Sequence, residues 1–168
     1  MQELEEIYQL YAADVYHFVL QLCRNEALAS DILQDTMLSA VQSIDQFKGE
    51  CSMKTYLCKI ARNHYFNHIK RAESRNLPLE EAQTVPAEEV SIEHQFSDKM
   101  QALAIHQVLH TLEEPYKEIF SLRVCAELKF ADIGKIFGQS ENWARVTFFR
   151  AKEKIIRQLE KEGYYENK

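Results

Sequence analysis

Apolar side chains recur along this chain at three- and four-residue steps, the period that puts them on one side of an α-helix. Leu4, Ile7, Tyr8, Leu10, Tyr11, Val15, Phe18, Val19 and Leu22 set such a stripe along a first long helix. Asn25 suits the cap of a second helix over 27–44, in which Leu28, Ile32, Leu38 and Val41 are expected inside and Asp31, Gln34 and Asp35 outside. The period breaks at the glycine of Phe47-Lys48-Gly49-Glu50-Cys51. Ser52 then offers a cap for a third helix with Leu57, Ile60, Ala61, Tyr65 and Ile69 on its apolar side. From about Glu73 to Ser97 the pattern lapses. Pro78, Pro86 and six glutamates leave too little apolar surface to offset the entropy of ordering, the signature of a linker.

Helical spacing returns near Asp98 with Leu103, Ile105, Val108, Leu109 and Leu112, and Pro115 suits the first turn of a helix ending at Val124. A helix from Phe130 to Phe137, a turn at Gly138-Gln139-Ser140 and a basic helix from Glu141 to about Leu159 make a helix-turn-helix pattern. With 4 Gly and 3 Pro in 168 residues and no sustained apolar/polar alternation, sheet edges and repeated tight turns are not expected. The fold class predicted is all-α: two small helical domains, 1–72 and 98–168, joined by a flexible acidic linker at 73–97.

Charge changes the picture. The net charge of −6 would repel a polyanion if it were spread evenly, but it is not. Residues 1–47 hold one basic and eight acidic side chains, whereas 48–71 hold six basic ones against Glu50 alone. A second basic island, 140–161, carries six cations against three carboxylates. Phosphate attraction follows the local field, which decays over about 8 Å at physiological salt, so both islands can bind nucleic acid within an acidic chain.

The second island has the amphipathic split of a recognition helix. Ala144, Phe148, Ala151 and Ile155 step along one face and leave Asn142, Arg145, Thr147, Arg150, Lys152 and Lys154 for the others. A merely solvated basic helix would share part of this pattern. The first island mixes its cations with Tyr56, Asn63, His64, Tyr65, Phe66 and Asn67, a set suited to gripping unstacked bases by stacking and amide hydrogen bonds. The plainer alternative makes Tyr65 and Phe66 core residues and the lysines solubilising.

Other chemistry is thinly represented. His64 with His68 and His106 with His110 stand at the spacing that can place two imidazoles on one metal, yet neither pair brings a third ligand or the glutamate a zinc hydrolase needs. No phosphate loop, nucleophile elbow or spaced pair of pocket carboxylates appears, so no catalytic residue, metal or cofactor is expected. Cys23, Cys51, Cys58 and Cys125 are scattered and read as reduced thiols. No apolar run approaches the ~20 residues that span a bilayer, and Met1 leads into acidic residues; a cytoplasmic protein without stable membrane insertion is expected.

Ala29-Ser30-Asp31-Ile32-Leu33-Gln34-Asp35-Thr36 and Tyr56-Leu57-Cys58-Lys59-Ile60-Ala61-Arg62-Asn63 resemble region 2 of the extracytoplasmic-function (ECF) group of sigma-70 factors. Leu112 to Glu118, Phe130-Ala131-Asp132-Ile133-Gly134, Phe137-Gly138 and Arg150-Ala151 are similar to region 4 of the same group. The resemblance covers most of the chain outside the linker. It implies a sigma factor that binds core RNA polymerase, recognises the minus-ten and minus-thirty-five promoter elements and promotes melting, commonly under an anti-sigma factor. A stand-alone helix-turn-helix regulator is the principal alternative.

Carried over by position, Asp31, Gln34, Asp35 and Met37 would face the polymerase clamp. The segment Lys48 to Arg71 would engage the minus-ten element, with Tyr56, Lys59, Arg62 and Asn63 foremost and Lys48, Lys54, Asn67, Lys70 and Arg71 beside them. Ser140, Glu141, Asn142, Arg145, Thr147, Phe149, Arg150, Lys152 and Lys154 would meet the minus-thirty-five duplex. The linker would thread the polymerase cleft, its glutamates mimicking nucleic acid. Three departures bar any transfer of promoter sequence. Tyr56 stands where the family usually shows tryptophan, Asn142-Trp143-Ala144 replaces the usual glycine-threonine-valine, and Gln139 sits at a turn position that is more often apolar. Trp143 could pack inward or touch DNA.

Overall fold

A computed structural model describes residues 2–75 and 99–163, with side chains at 4–75 and 103–163. Its helices are α1 (Gln2–Cys23), α2 (Glu26–Ser43), α3 (Met53–Ser74), α4 (Lys99–Thr111), α5 (Tyr116–Val124), α6 (Phe130–Phe137) and α7 (Glu141–Lys161), with one 3-10 turn, Ile44–Gln46, after α2. No strand occurs among the described residues, as an all-α fold requires. The chain divides into two compact units, Met1–Val85 and Pro86–Lys168. Most of the acidic stretch expected as a linker, from residue 76 onward, lies outside the described residues.

In the first unit α1, α2 and α3 pack pairwise around Phe18, Val19, Leu22, Ile32, Leu57, Ala61 and Tyr65. The expected caps form: Asn25 Oδ1 accepts from Leu28 N at 2.9 Å and Ser52 Oγ from Thr55 N at 3.1 Å. Each satisfies an orphan donor at a helix start. Tyr65 is a core residue, its hydroxyl donating to Leu22 O at 3.1 Å.

The α2 pattern needs correction. Ala29, Ile32, Leu33, Thr36, Met37 and Ala40 form its buried stripe. Leu38 and Val41, expected inside, are exposed. At 100° per residue Leu38 falls on the side opposite Thr36 and Ala40, among Asp31, Gln34 and Asp35, and Val41 lies about 100° from Ala40 at the edge of the same outward side. In α1 the apolar stripe overshoots the bundle, leaving Leu4, Tyr8 and Leu10 exposed in the first turns.

In the second unit α7 is the hub, packing against α4, α5 and α6. Val108, Leu109, Ile119, Leu122, Ile133, Ala144, Ala151 and Ile155 fill its core. Pro115 sits one position before α5, at its N-cap. The α6–α7 turn depends on two glycines. Gly138 ends α6 in the left-handed region at φ 65°, and its amide turns back to Lys135 O. A Cβ on Gly134 would lie 2.7 Å from Gln139 O, so the absent side chain lets the turn close against α6.

Gly138→Ala meets no steric neighbour, since nothing lies within 4 Å of the added Cβ, so its cost is backbone strain alone. A loss of about 1 kcal/mol is expected. That corresponds to a Tm drop of about 4–8 °C for a unit of this size, with Gly138→Asn milder. An unchanged Tm for the alanine variant would contradict this account of the turn.

Candidate nucleic-acid interfaces

The core-facing stripe of α3, Leu57, Cys58, Ala61 and Tyr65, fixes which side of the helix faces out. Lys59, Asn63, Asn67 and Lys70 are exposed and follow one another at three- and four-residue steps. Tyr56 heads this row but is half-buried, its ring 4.9 Å from that of Phe47. Arg62 lies to one flank with its guanidinium 5.3 Å from the Phe66 centroid, a cation–π pair. Arg71 is exposed near the helix end, and Lys48 sits exposed in the loop before α3.

Lys54 does not join this row. It turns to α1, where its ammonium meets the Asp14 carboxylate at 2.7 Å. The reason is register: position 54 lies about 180° from Asn63 around the helix. His64 also points away, its Nε2 2.8 Å from Ser39 Oγ on α2. Among the described residues no group of three His, Cys, Asp or Glu side chains is placed to hold a metal ion.

The exposed face of α2 is unlike a solvated face. Leu38, 59% exposed, stands among Asp31, Gln34 and Asp35, with Val41 one turn on. Met37, expected at this face, is buried and packs inward because it lies about 100° from Leu38. Sequence reasoning missed Leu38 because a leucine in a helical pattern is assigned to the core by default.

In the second unit, Ser140 caps α7, its Oγ accepting from Trp143 N at 3.0 Å. Glu141, Asn142, Arg145, Phe149, Arg150, Lys152 and Lys154 are exposed along the helix. Glu141 accepts from Arg145 at 2.8 Å, and the same guanidinium lies 5.6 Å from the Phe130 centroid, so this arginine is held from two sides. The Lys154 ammonium lies 5.0 Å from the Tyr116 ring. Thr147 is a correction: it is buried, and its hydroxyl donates to Trp143 O at 2.7 Å, which leaves it no access to a duplex. Trp143 packs against Phe137 at 5.3 Å. Val146, exposed between Asn142 and Phe149, belongs to the outward face and escaped the sequence reading because it is apolar.

Burial pushes the Cys58 thiol up to about 12, against an opposing pull from Lys54 and with some help from Asp14. Burial alone pushes Cys125 up to about 12. Both thiols are neutral at physiological pH, and none of the four cysteines is bridged.

Two family models match this chain: sigma-70 region 2 over residues 7–75 and sigma-70 region 4 over residues 102–155. Together they span most of its length. Among curated proteins the chain is 26% identical over 160 residues to the ECF RNA polymerase sigma factor SigM of Bacillus subtilis, covering 90% of this chain and 92% of that one. It is 23% identical to RNA polymerase sigma factor YlaC of the same organism (94% and 92%) and 26% to the ECF RNA polymerase sigma-E factor of Haemophilus influenzae (77% and 74%). Its fold matches the sigma factor RpoE, solved with the anti-sigma factor NepR from Bartonella quintana, with TM-score 0.74, 19% identity and coverage of 95% and 98%. CnrH, solved with the cytosolic domain of CnrY, follows at TM-score 0.70, 14% identity and coverage of 95% and 88%.

A thiol whose pKa is raised on folding favours the native state below its unfolded value, near 9.0, and that preference is lost as pH climbs toward 12. The urea midpoint is therefore expected to respond to these thiols only above pH 9. At pH 8, iodoacetamide followed by mass spectrometry should modify Cys23 and Cys51 ahead of Cys58 and Cys125. Early labelling of Cys58 would contradict its burial.

Proposed function

The chain belongs to the ECF group of the sigma-70 family, and from that premise we propose how its helical faces divide the work of promoter recognition. As a sigma factor for transcription initiation it acts with core RNA polymerase on promoter DNA. The chemistry of RNA synthesis belongs to the polymerase, and no residue of this chain is given a catalytic role. One observation carries the division of labour: two cationic helix faces, each backed by its own core, in a chain of net charge −6.

The α3 face serves the minus-ten element. Lys59, Asn63, Asn67 and Lys70 contact the melted non-template strand, with Lys48, Arg62 and Arg71 at its borders. Unstacking a base costs a few kcal/mol, which phosphate contacts and amide hydrogen bonds along this face must offset. The α7 face meets the minus-thirty-five duplex through the capped N-terminus at Ser140 and through Asn142, Arg145, Phe149 and Arg150, with Lys152 and Lys154 toward the backbone phosphates. Domains at 1–72 and 98–168, tethered by 73–97, let each weak site raise the effective concentration of the other.

The acidic face of α2 docks on polymerase, with Leu38 as the apolar centre of Asp31, Gln34 and Asp35. An anti-sigma partner is inferred because the relatives RpoE and CnrH were captured with NepR and CnrY. No helix among the described residues is long and apolar enough to cross a membrane. The site of action inferred is the cytoplasm, where the polymerase works.

Purified core polymerase on a genomic fragment library, with and without this protein, tests the function. New start sites sharing two spaced upstream elements are expected. Binding to a palindrome without polymerase, and no new starts, would favour a stand-alone regulator instead. For the docking face, Leu38→Asp should weaken core binding by about tenfold or more while leaving Tm within about 1 °C, because interface anchors matter far more than exposed residues do to folding. Unchanged core affinity would remove Leu38 from the interface.

A further inference from the structure

A polar seam runs between the last turns of α2 and the first half of α3, and it accounts for a residue that the sequence placed on the DNA. Ser39 Oγ meets His64 Nε2 at 2.8 Å, and one turn along α2 the Ser43 Oγ meets the Tyr56 hydroxyl at 2.6 Å. The proton in the second contact can be assigned. A serine hydroxyl has a single proton, and that of Ser43 is donated to Ser39 O at 2.7 Å. The Tyr56 hydroxyl therefore donates to Ser43 Oγ, with Ser43 O a longer second acceptor at 3.4 Å.

Ser43 is the last residue of α2 and directly precedes the 3-10 turn Ile44–Gln46. Phe47 follows that turn, its amide donating to Ile44 O at 3.0 Å and its ring lying 4.9 Å from Tyr56 at a 43° tilt. Tyr56 thus holds both ends of the segment 43–47, one through its hydroxyl and the other through its ring. The exposed residues Lys48, Gly49 and Glu50 come next, with Gly49 at φ 70°, before Ser52 caps α3. With Phe47 against its ring and its hydroxyl engaged by Ser43, Tyr56 is tied to the loop that it secures.

We propose that Tyr56 is a positioning residue: through Ser43 and Phe47 it fixes the Lys48–Glu50 loop beside the exposed Lys59–Asn63 row, and this fixed edge sets which unstacked base is accepted. The inference rests on the minus-ten reading of α3 given above. It moves Tyr56 from the set of direct contacts to the support behind them. Tryptophan, the usual family residue here, has no hydroxyl for Ser43 and would have to use its indole N–H instead.

The test uses full-length protein with core polymerase on the mapped promoter, each minus-ten position randomised in turn. The readout is the ratio of initiation at the preferred base to initiation at the others, with Tm measured beside it. Tyr56→Phe and Ser43→Ala are each expected to lower that selectivity about three- to tenfold, the fold-change typical of one lost hydrogen bond. Their double variant should be no worse than either alone, because both remove the same contact. Tyr56→Ala, which also loses the Phe47 contact, should lower it further.

Full selectivity in Tyr56→Phe with collapse in Tyr56→Ala would overturn the proposal in favour of direct stacking by the ring. A loss equal at every base and proportional to the loss of folded protein would overturn it in favour of a purely structural role. Wild-type selectivity in all variants would overturn it outright. Failure of the wild-type protein to direct any initiation would instead sink the sigma-factor reading, and the proposal with it.

Discussion

Burial of Leu57, Cys58, Ala61 and Tyr65 against α1 and α2 sets the rotation of α3 about its own axis, and the direction of the first cationic face depends on that rotation. A helix has one degree of freedom that its sequence leaves open, the direction in which its polar side points, and only the packed stripe closes it. The same constraint governs α7, whose Ala144, Ala151, Ile155 and Leu159 bury against α4, α5 and α6. Small residues at 144 and 151 let the helix sit close to its neighbours, so Arg145, Phe149 and Arg150 project from a rigid base. Preorganised side chains of this kind lose less entropy when they meet a partner.

Charge is used locally. The cations of α3 gather on a surface from which Lys54 is withdrawn by Asp14, while the acidic residues of α2 surround an exposed leucine rather than a lysine. Two faces of one small unit thereby present opposite potentials. Under the proposed division of labour, such opposite potentials would steer different partners to the two faces, and Leu38 would supply burial on the acidic one. On the recognition helix the logic differs. Arg145 is oriented by Glu141 and by the Phe130 ring, so its direction is set before any nucleic acid arrives.

Much of this was legible in the residues. The caps at Asn25 and Ser52, the glycine turn at Gly138 and the order of the helices follow from local chemistry that acts within a few residues, and all are present. The errors share one cause. Leu38 and Val41 were placed inside and Met37 outside because α2 is apolar on more than one side, and periodicity alone does not say which stripe finds a partner. Thr147 was placed on the duplex because its hydroxyl can serve DNA, yet in a helix that hydroxyl reaches the carbonyl four residues back.

Lys54 and Tyr56 complete the contrast, since each could serve either face and nothing nearby in sequence decides. Asp14 lies 40 positions before Lys54, and Ser43 lies 13 before Tyr56. The sequence by itself determined the class of the fold, its caps, its two cationic islands and its family, because these rest on short-range pattern and on local charge. The tertiary structure decided which side of each helix faces out and which polar groups are already engaged. That choice depends on contacts between residues far apart in the chain, and these exist only once the helices have packed.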